Sequence, residues 1–429
     1  MAQSARSAAL TVLEKCRRNG AWSDAVLDSV ITAAGLSGRD AALCTKLCTG
    51  VLQNFALCDF YIDCYSSTRS HRLEPKLRDI LRLSVYQLAF LDRIPPHAAV
   101  SEGVLLAKHH NPKTAGLTNA VLRRVAENRG KLPEIPGAGT ARYLAIRYSH
   151  PMWLCEMLMA ESGYDFTRAF LEANNTEPPA TAQVNTLKTT TPELLAILGR
   201  EGIEAREGSN PLSLALHAPG DLKKLESFQK GLFYIQDDAA RRAVLTAGPK
   251  PGMRVLDACA APGGKSFAAA IATENCGEII ACDSHEEKLS RIVSGARRLG
   301  VTIITARAMD AREPDERFYE AFDLVLADVP CSGIGVIRKK PDIRTRPEED
   351  AARLPDVQLQ ILRGLAKTVK PAGALLYSTC TVLRRENEGV VARFLEENTG
   401  FEVEGEMQTL FPHIDGTDGF FICKLRKKA

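Results

Sequence analysis

The sequence lacks the long apolar runs that are typical of membrane proteins. No uncharged stretch approaches the roughly 18 residues that a membrane-spanning helix needs. No apolar segment follows Met1, because Arg6, Glu14 and Lys15 interrupt the start of the chain. The net charge is only +3 at pH 7, which is too small to predict nucleic-acid binding from composition alone. We therefore expect a cytoplasmic protein whose partners are indicated by local patches.

Closely spaced cysteine pairs are also missing. The chain has 12 cysteines, but they are spread out and form no C-x-x-C pair, so reduced thiols are a simpler interpretation than a disulfide scaffold. Cys44, Cys48, Cys58 and Cys64 could suggest a metal site. Cys44 and Cys48 lie at the i, i+4 spacing of a helix, which favours a buried helical face over zinc. We expect no metal.

The length of 429 residues predicts two or three domains. Residues 1–130 have helical periodicity, beginning with Ala9, Val12, Leu13 and Cys16 at the i, i+3, i+4, i+7 spacing of one helix face. This stretch has no alternating strand pattern. It predicts a compact bundle of α-helices as the first domain.

Residues 131–139 combine proline and glycine without periodicity, as a linker does. Residues 140–250 then mix helical spacing at 151–173 with short apolar runs. These runs are residues 181–184, 212–216 and 232–235. The mixture predicts a small α+β middle domain.

Strands and helices alternate in residues 251–429, which predicts a third domain of α/β class, a Rossmann-like doubly wound parallel sheet. A turn at residues 415–419 precedes the apolar run 420–424. This arrangement is typical of a hairpin, so the last strand should be antiparallel. An antiparallel last strand favours a methyltransferase over a hydride-transfer fold.

The loop at residues 257–265 follows the first predicted strand of this domain and opens a helix. Its small side chains allow a ligand to approach the backbone closely. It has neither the Walker spacing nor the G-x-G-x-x-G spacing, which weakens the ATPase and dehydrogenase interpretations. We predict a nucleotide-like ligand here, held by Cys259, Ala260, Ala261, Pro262, Gly263, Gly264 and Lys265.

Acidic residues follow successive predicted strands in the order Asp257, Asp283, Asp310 and Asp328. Asp283 is placed to accept hydrogen bonds from ribose hydroxyls, and Asp310 could make a contact on the adenine side. Each acid alone is weak support, because an acid at a strand end is often only a helix cap. Their order along one sheet edge makes the prediction stronger.

Two cysteines, Cys331 and Cys380, each lie just past a buried apolar run. The carboxyl ends of central parallel strands converge on one crevice, so these residues are candidate catalytic thiols. A thiol pair there is compatible with covalent, redox or metal chemistry, although the absence of C-x-x-C spacing disfavours the last two. Free cysteine is usually buried and inert, and we keep that interpretation for Cys259 and Cys282.

Three motifs in this region resemble those of RNA cytosine-5 methyltransferases that use S-adenosylmethionine: DACAAPGGK, ADVPCSGIGVIRKKPDIR and YSTCTVLRRENE. The segments IPPHAAVSEGV and GLTNAVLRRVA resemble a NusB-like helical domain. RYSHPMWL, NNTEPP and FYIQDDAA resemble the middle segment of the same enzymes. The whole pattern is similar to the 16S ribosomal RNA methyltransferase B family over nearly the full chain.

The resemblance implies a role for each site residue. Cys380 would attack C6 of cytosine, and Cys331 would assist loss of the C5 proton and release of the enzyme. Asp328 would hydrogen-bond the base at N3. We add the hypothesis that Lys265 orients Asp328. S-adenosylmethionine would be the cofactor, bound by the small-residue loop, Asp283, Asp310 and Asp328.

Positive charge follows the Cys331 motif directly and predicts contact with an RNA backbone. The residues are Arg338, Lys339, Lys340, Arg344 and Arg346. A solvated surface is the alternative, and it is an equally good explanation for Arg123, Arg124 and Arg129. The family's middle segment often has arginine at the position of Gln183, so an RNA contact at Gln183 is in doubt.

We therefore expect a monomeric enzyme that methylates C5 of cytosine in small-subunit ribosomal RNA. Two alternatives remain open. One is a tRNA cytosine-5 methyltransferase with the same mechanism. The other is a non-catalytic RNA-binding assembly factor that works through its helical bundle.

Overall fold

The structure is a computed structural model that describes residues 4–19, 23–178, 180–210, 212–217 and 220–429. The chain forms two compact units. The N-terminal unit contains Met1–Thr176 and Ile337–Arg346, and the C-terminal unit contains Glu177–Val336 and Pro347–Ala429.

The described part of the N-terminal unit is helical, as the periodicity predicted. Its α-helices are α1 (Ala5–Asn19), α2 (Ser23–Ala33), α3 (Gly38–Tyr65), α4 (Pro75–Phe90), α5 (Pro96–His110), α6 (Ala115–Glu127), α7 (Ala141–Tyr148) and α8 (Met152–Ala173). The predicted face of α1 is buried at Ala9, Val12 and Leu13. These side chains pack into one core with residues of α3, α4, α5 and α6.

Helix α3 is long and apolar enough to cross a membrane by length and composition alone. Cys44, Leu47, Cys48 and Cys58 are nevertheless buried in the core of the unit, so helix packing accounts for this apolar face. Within the described ranges, no group of three His, Cys, Asp or Glu side chains is arranged to hold a metal ion.

Residues 337–346 join the N-terminal unit through a buried arginine. Arg344 is 2% exposed, and its guanidinium donates to the carbonyl oxygens of Gln53 at 3.2 Å, Tyr148 at 2.8 Å and Asn174 at 2.9 Å. Three separate stretches of chain are thereby tied to one side chain. These hydrogen bonds lower the cost of burying the charge, while Arg344 Nε has no hydrogen-bond partner among the described residues.

The C-terminal unit begins with a small antiparallel sheet of strand order β2-β3-β1-β4. Its elements are β1 (Ala180–Val184), α9 (Thr191–Arg200), β2 (Glu204–Glu207), β3 (Ser213–His217), α10 (Glu226–Gln229) and β4 (Phe233–Ile235). The three predicted runs are strands β1, β3 and β4. Strand β2 was not predicted, because its sequence EARE is an exposed, charged edge without an apolar signal.

The remaining elements build one larger sheet with helices. They are α11 (Asp238–Ala247), β5 (Arg254–Asp257), α12 (Gly264–Ala272), β6 (Glu278–Asp283), α13 (Glu286–Leu299), β7 (Ile304–Ala308), β8 (Phe322–Asp328), α14 (Glu348–Ala352), α15 (Leu354–Ala366), β9 (Val369–Thr379), α16 (Glu388–Glu397), β10 (Phe401–Val403), β11 (Gln408–Leu410), α17 (Pro412–Asp415) and β12 (Phe420–Lys427).

The larger sheet has the order β10-β12-β9-β8-β5-β6-β7, and β11 pairs with β12. Strands β5 to β9 are parallel, whereas β12 runs antiparallel to β9. The predicted fold class and antiparallel last strand are confirmed. The chain moves outward from β5 through β6 and β7 and then returns to β8 on the other side of β5. This reversal creates a switch point at the carboxyl ends of β5 and β8, where ligands bind in such sheets.

Apolar clusters cover both faces of the larger sheet. Parallel strands that are buried on both faces form continuous apolar runs rather than alternating ones, which explains why residues 322–327 were recognisable in the sequence. The predicted boundaries at 130 and 250 do not coincide with the two compact units, because α7 and α8 belong to the N-terminal unit. Those boundaries stay a prediction.

A matched pair of glycine substitutions tests the packing of the C-terminal unit. A Cβ at Gly364 in α15 would lie 2.5 Å from the carbonyl oxygen of Arg312 and 2.6 Å from that of Ala311. We expect Gly364→Ala to lower the free energy of unfolding by about 1–3 kcal/mol. Gly199 in α9 has nothing within 4 Å of its Cβ position, so Gly199→Ala should be neutral or stabilising by up to about 1 kcal/mol. Urea unfolding measures both, and equal effects would contradict the packing described for α15.

Candidate active site

The predicted strand-end residues lie on neighbouring parallel strands. Asp257 ends β5, Asp283 ends β6 and Asp328 ends β8. Cys380 directly follows β9, whose residue Ser378 is in register with Asp328. Because the carboxyl ends of parallel strands meet at one sheet edge, these residues face one crevice.

The two candidate thiols are in contact. The Sγ atoms of Cys331 and Cys380 are 3.2 Å apart, and both residues are half-buried. A hydrogen bond with Cys380 and burial together raise the pKa of Cys331 well above its ordinary value. Cys331 therefore holds its proton next to the sulfur of Cys380.

An ion pair lies beside the thiols. Lys265 Nζ donates to Asp328 Oδ2 at 2.6 Å, and Ser378 Oγ donates to Asp328 Oδ1 at 2.9 Å. Lys265 Nζ also lies 5.1 Å from the centre of the Phe420 ring. The carboxylate is thus fixed in orientation from both of its oxygens. The predicted contact between Lys265 and Asp328 is present, and its role in the reaction stays a prediction.

The small-residue loop is folded tightly between β5 and α12. Gly263 has a φ of +113°, and a Cβ there would lie 2.4 Å from the Phe267 ring. Its N–H donates to the carbonyl oxygen of Ala260 at 2.6 Å, and the Ala261–Pro262 peptide bond is cis. Only glycine suits both the left-handed φ and the contact with the ring. The loop leads directly into the helix that starts at Gly264, and a helix N-terminus is a position where ligands with negative charge bind.

Asp283 lies at the side of this loop and is almost buried. Its carboxylate accepts from the N–H of Ala261 at 3.3 Å and from the N–H of His285 at 3.0 Å. A carboxylate has about four lone-pair sites, so capacity remains for ribose hydroxyls. The surroundings of Asp283 suit the contact predicted for it.

The other two acids differ in their surroundings. Asp257 is fully buried and accepts from Ser266 Oγ at 2.6 Å, and burial raises its pKa to about 6. Asp310 is held by Arg312, whose Nη2 lies 2.6 Å from Asp310 Oδ2, and this hydrogen bond lowers the pKa of Asp310. Asp257 therefore holds Ser266 near the start of α12. A contact between Asp310 and adenine would compete with the hydrogen bond between Asp310 and Arg312.

Cys259 and Cys282 have the properties of inert cysteines. Burial raises the pKa of Cys259, and it raises the pKa of Cys282 to about 12. A thiol that does not ionise is a poor nucleophile. These surroundings favour the inert interpretation given to both residues.

The predicted RNA-contacting arginines and lysines belong to the N-terminal unit. Arg344 and Arg338 are buried, whereas Lys339, Lys340 and Arg346 are half-buried. The guanidinium of Arg344 is committed to backbone carbonyls, which gives it a structural role in place of the predicted RNA contact. A charge pattern in a sequence does not distinguish a buried cation from a solvated one. The RNA contact of the three half-buried residues stays a prediction.

Gln183 is also buried. Its Nε2 donates to Asp238 Oδ1 at 2.8 Å and to the carbonyl oxygen of Gln236 at 3.1 Å. The side chain is therefore part of an internal polar cluster, which agrees with the doubt about an RNA contact at this position.

Three polar residues of the site were missed by the sequence reasoning. Ser378 holds Asp328, Glu386 accepts from the N–H of Ser332, and Gln358 donates to both Glu386 and Pro330. Ser378 and Glu386 lie within the motif YSTCTVLRRENE, so the motif contained a signal for them. Gln358 lies on a helix, and only its burial at 0% exposure distinguishes it.

Three family models match successive stretches of the chain. A NusB family model matches residues 3–127. An RsmF/B-like ferredoxin-like domain model matches residues 150–223. A model described as 16S rRNA methyltransferase RsmB/F matches residues 244–426. These matches follow the order of the helical bundle, the small sheet and the larger sheet.

Similar proteins cover almost the whole chain. The chain is 38% identical over 447 residues to a probable ribosomal RNA small subunit methyltransferase B of Bacillus subtilis (strain 168), with 99% of each protein covered. It is 33% identical over 407 residues to the ribosomal RNA small subunit methyltransferase B of Escherichia coli O6:H1 (strain CFT073), with 92% of each covered. Among solved structures, the crystal structure of PH0851 matches with a TM-score of 0.83 at 25% identity, over 100% of this chain and 99% of that one.

Thiol-specific oxidation tests the geometry of the cysteine pair. Diamide accepts two hydrogens, so it converts two adjacent thiols into a disulfide. Because Cys331 and Cys380 lie 3.2 Å apart, we expect them to form the first intramolecular disulfide, and peptide mass spectrometry after digestion locates it. Cys276 is exposed and serves as the control thiol that should not enter that disulfide. A first intramolecular disulfide between other cysteines would contradict the proximity of the pair.

Proposed function

The chain belongs to the 16S rRNA methyltransferase RsmB/F family and is an S-adenosylmethionine-dependent methyltransferase, and we propose that it methylates C5 of cytosine in 16S ribosomal RNA through a covalent adduct with Cys380. The contact between the two thiols is the observation that supports this proposal best. C5 and C6 of cytosine are bonded neighbours, so two sulfurs that act on them must themselves lie close together. The 3.2 Å between Cys331 and Cys380 meets that requirement.

Addition of a thiolate explains why a cysteine is needed. C5 of cytosine is a poor nucleophile until a group adds to C6 and converts the ring into an enamine. In the proposal, the Cys380 thiolate forms a bond to C6, and the electron pair of the C5–C6 double bond shifts through C4 toward N3. C5 thereby becomes reactive toward an electrophilic carbon.

Asp328 and Lys265 neutralise the negative charge that develops at N3 in the proposal. A proton of the Lys265 ammonium group moves through Asp328 to N3 as the thiolate adds, so negative charge does not accumulate on the ring. The same proton returns to the pair when the adduct breaks down. Ser378 and Lys265 hold the carboxylate from both oxygens, and this fixed orientation lowers the cost of reorganising it during the reaction.

Cys331 completes the reaction in the proposal. Cys331 releases its own proton to solvent once Cys380 is bonded to C6, and after C5 has gained its methyl group the Cys331 thiolate takes the C5 proton. The C5–C6 double bond forms again, and the electrons of the C6–S bond return to Cys380. The products are one methylated cytosine, the demethylated cofactor S-adenosylhomocysteine, a Cys331 thiol, a Cys380 thiolate and the proton released to solvent, so atoms and electrons balance.

The cofactor loop suits S-adenosylmethionine. The small side chains of the loop at residues 257–265 suit close approach of a ligand, and Asp283 retains acceptor capacity for ribose hydroxyls. When it is bound, S-adenosylmethionine supplies an electrophilic methyl group. Asp328 and Lys265 belong to the same sheet edge, which brings the cofactor loop and the base-binding groups to one crevice.

The substrate assignment follows the names of the full-length relatives, which are small subunit ribosomal RNA methyltransferases. An enzyme that acts on ribosomal RNA would work where ribosomes assemble, in the cytoplasm. We propose that it acts as a monomer. The small-residue loop and the acids at the ends of the neighbouring strands form a full set of predicted cofactor contacts. This set favours an enzyme over a non-catalytic assembly factor.

The two cysteines should fail at different steps when they are replaced. Cys380→Ala should lower methyl transfer from labelled S-adenosylmethionine to 16S rRNA by at least about 10³-fold, because the adduct former is lost. It should also abolish the protein–RNA adduct that survives a denaturing gel. Cys331→Ala should form that adduct and release it slowly. Cys276→Ala is the control with expected wild-type behaviour, and full turnover by Cys380→Ala would end the proposal.

Bisulfite sequencing distinguishes ribosomal RNA from transfer RNA as the substrate. In a strain that lacks this protein, we expect one 16S rRNA cytosine to lose protection from bisulfite conversion, since 5-methylcytosine is the protected base. Expression of the wild-type chain should restore protection, and expression of Cys380→Ala should not. Loss of protection only in tRNA would contradict the proposed 16S rRNA substrate and would show that the enzyme methylates tRNA.

A further inference from the structure

Glu386 is a buried carboxylate that the proposed mechanism does not use. It is 0% exposed, and burial raises its pKa. Its Oε2 accepts from the N–H of Ser332 at 2.9 Å and from Gln358 Nε2 at 2.9 Å. Its Oε1 has no hydrogen-bond partner in the described part of the chain. Such an arrangement costs stability, so a contribution to stability does not account for it.

Glu386 and Gln358 together hold the Cys331 loop from both sides. Glu386 binds the residue after Cys331, and Gln358 Nε2 also donates to the carbonyl oxygen of Pro330, the residue before it, at 3.0 Å. The backbone on either side of Cys331 is thereby fixed. The direction of the Cys331 side chain follows from that backbone.

Asn387, the residue after Glu386, holds the loop that contains Cys380. Asn387 Oδ1 accepts from Thr379 Oγ1 at 2.7 Å, and Asn387 Nδ2 donates to the carbonyl oxygen of Thr381 at 3.1 Å. Thr379 and Thr381 flank Cys380 in the sequence. Each thiol is therefore held through its two neighbours, and adjacent residues hold the two loops.

We propose that Glu386 and Asn387 are positioning residues that set the spacing between the two thiols. Glu386, with Gln358, places Cys331 for release, and Asn387 places Cys380 for addition to the base. This inference rests on the proposed function of the two cysteines. A direct link between the loops, in which the hydroxyls of Ser332 and Thr381 lie 2.8 Å apart, keeps the two positions coupled.

Substitutions at these two positions should affect different steps. Glu386→Ala should leave adduct formation within about threefold of wild type and slow adduct release by at least about tenfold, since only the Cys331 loop loses its support. Asn387→Ala should slow adduct formation by at least about tenfold. A merely structural role would reduce both steps together. Quenched time courses on denaturing gels, with 16S rRNA and labelled cofactor, measure formation and release separately.

Conservative and control variants distinguish hydrogen bonding from general damage. Glu386→Gln keeps an acceptor for Ser332 and Gln358, so release should return to within a few-fold of wild type. Glu388→Gln changes the neighbouring acid, whose Oε1 accepts from Thr409 at 3.4 Å, and both steps should stay at wild-type rates. If Glu386→Ala does not fold, Gln358→Met removes the contact with Pro330 at similar volume and should show the same slow release.

The rate of diamide-induced disulfide formation between Cys331 and Cys380 gives a measurement that needs no RNA. We expect Glu386→Ala and Asn387→Ala each to lower this rate by at least about tenfold relative to wild type and to Glu388→Gln, since thiol exchange depends on access and alignment. Unchanged disulfide formation, or release at the wild-type rate in Glu386→Ala, would overturn the proposed positioning. Absence of any adduct in the wild-type protein would instead overturn the proposed function and leave the disulfide measurement to decide on positioning.

Discussion

The parallel pairing of β8 with β9 is the interaction on which the site depends. In its register Ala327 lies opposite Tyr377 and Asp328 opposite Ser378, and the N–H of Val329 extends the ladder to the carbonyl oxygen of Ser378 at 3.1 Å. This register allows Ser378 to bind Asp328, and it brings the loops that contain Cys331 and Cys380 side by side. A slip of one residue would turn every side chain of β9 to the opposite face. The thiol contact is therefore a consequence of strand register, over 49 residues of sequence separation.

Two buried carboxylates near the site have incomplete hydrogen bonding. Asp257 and Glu386 each have a carboxylate oxygen without a hydrogen-bond partner among the described residues, and a buried group left in that state costs about 1–3 kcal/mol. The two apolar clusters on the faces of the sheet provide the stability that tolerates this cost. A preorganised site requires polar groups that are already oriented, because such groups need not reorganise during the reaction.

The sequence predicted the features that follow from hydrophobic periodicity and from the order of strands and helices along the chain. The helical first region, the alternating strands and the acids at strand ends follow from local patterns, and the relatives and the structure agree with them. Strand β2 was missed because EARE has no apolar period. Gln358 was missed because a buried glutamine on a helix resembles an exposed one until the fold is known. Arg344 shows the converse, since a basic run predicts a surface contact and this cation lies inside, bound to four carbonyl oxygens.

The thiol contact also explains how two similar cysteines can act in a fixed order within the proposed reaction. The first cause of the raised pKa of Cys331 is its hydrogen bond with Cys380, so Cys331 keeps its proton before the reaction. Addition to C6 converts Cys380 into a thioether, which carries no charge. The largest cause that holds Cys331 protonated is then removed, and its pKa falls toward the ordinary value. Cys331 thus becomes a base only after Cys380 has bonded to the ring, which is when the C5 proton must leave.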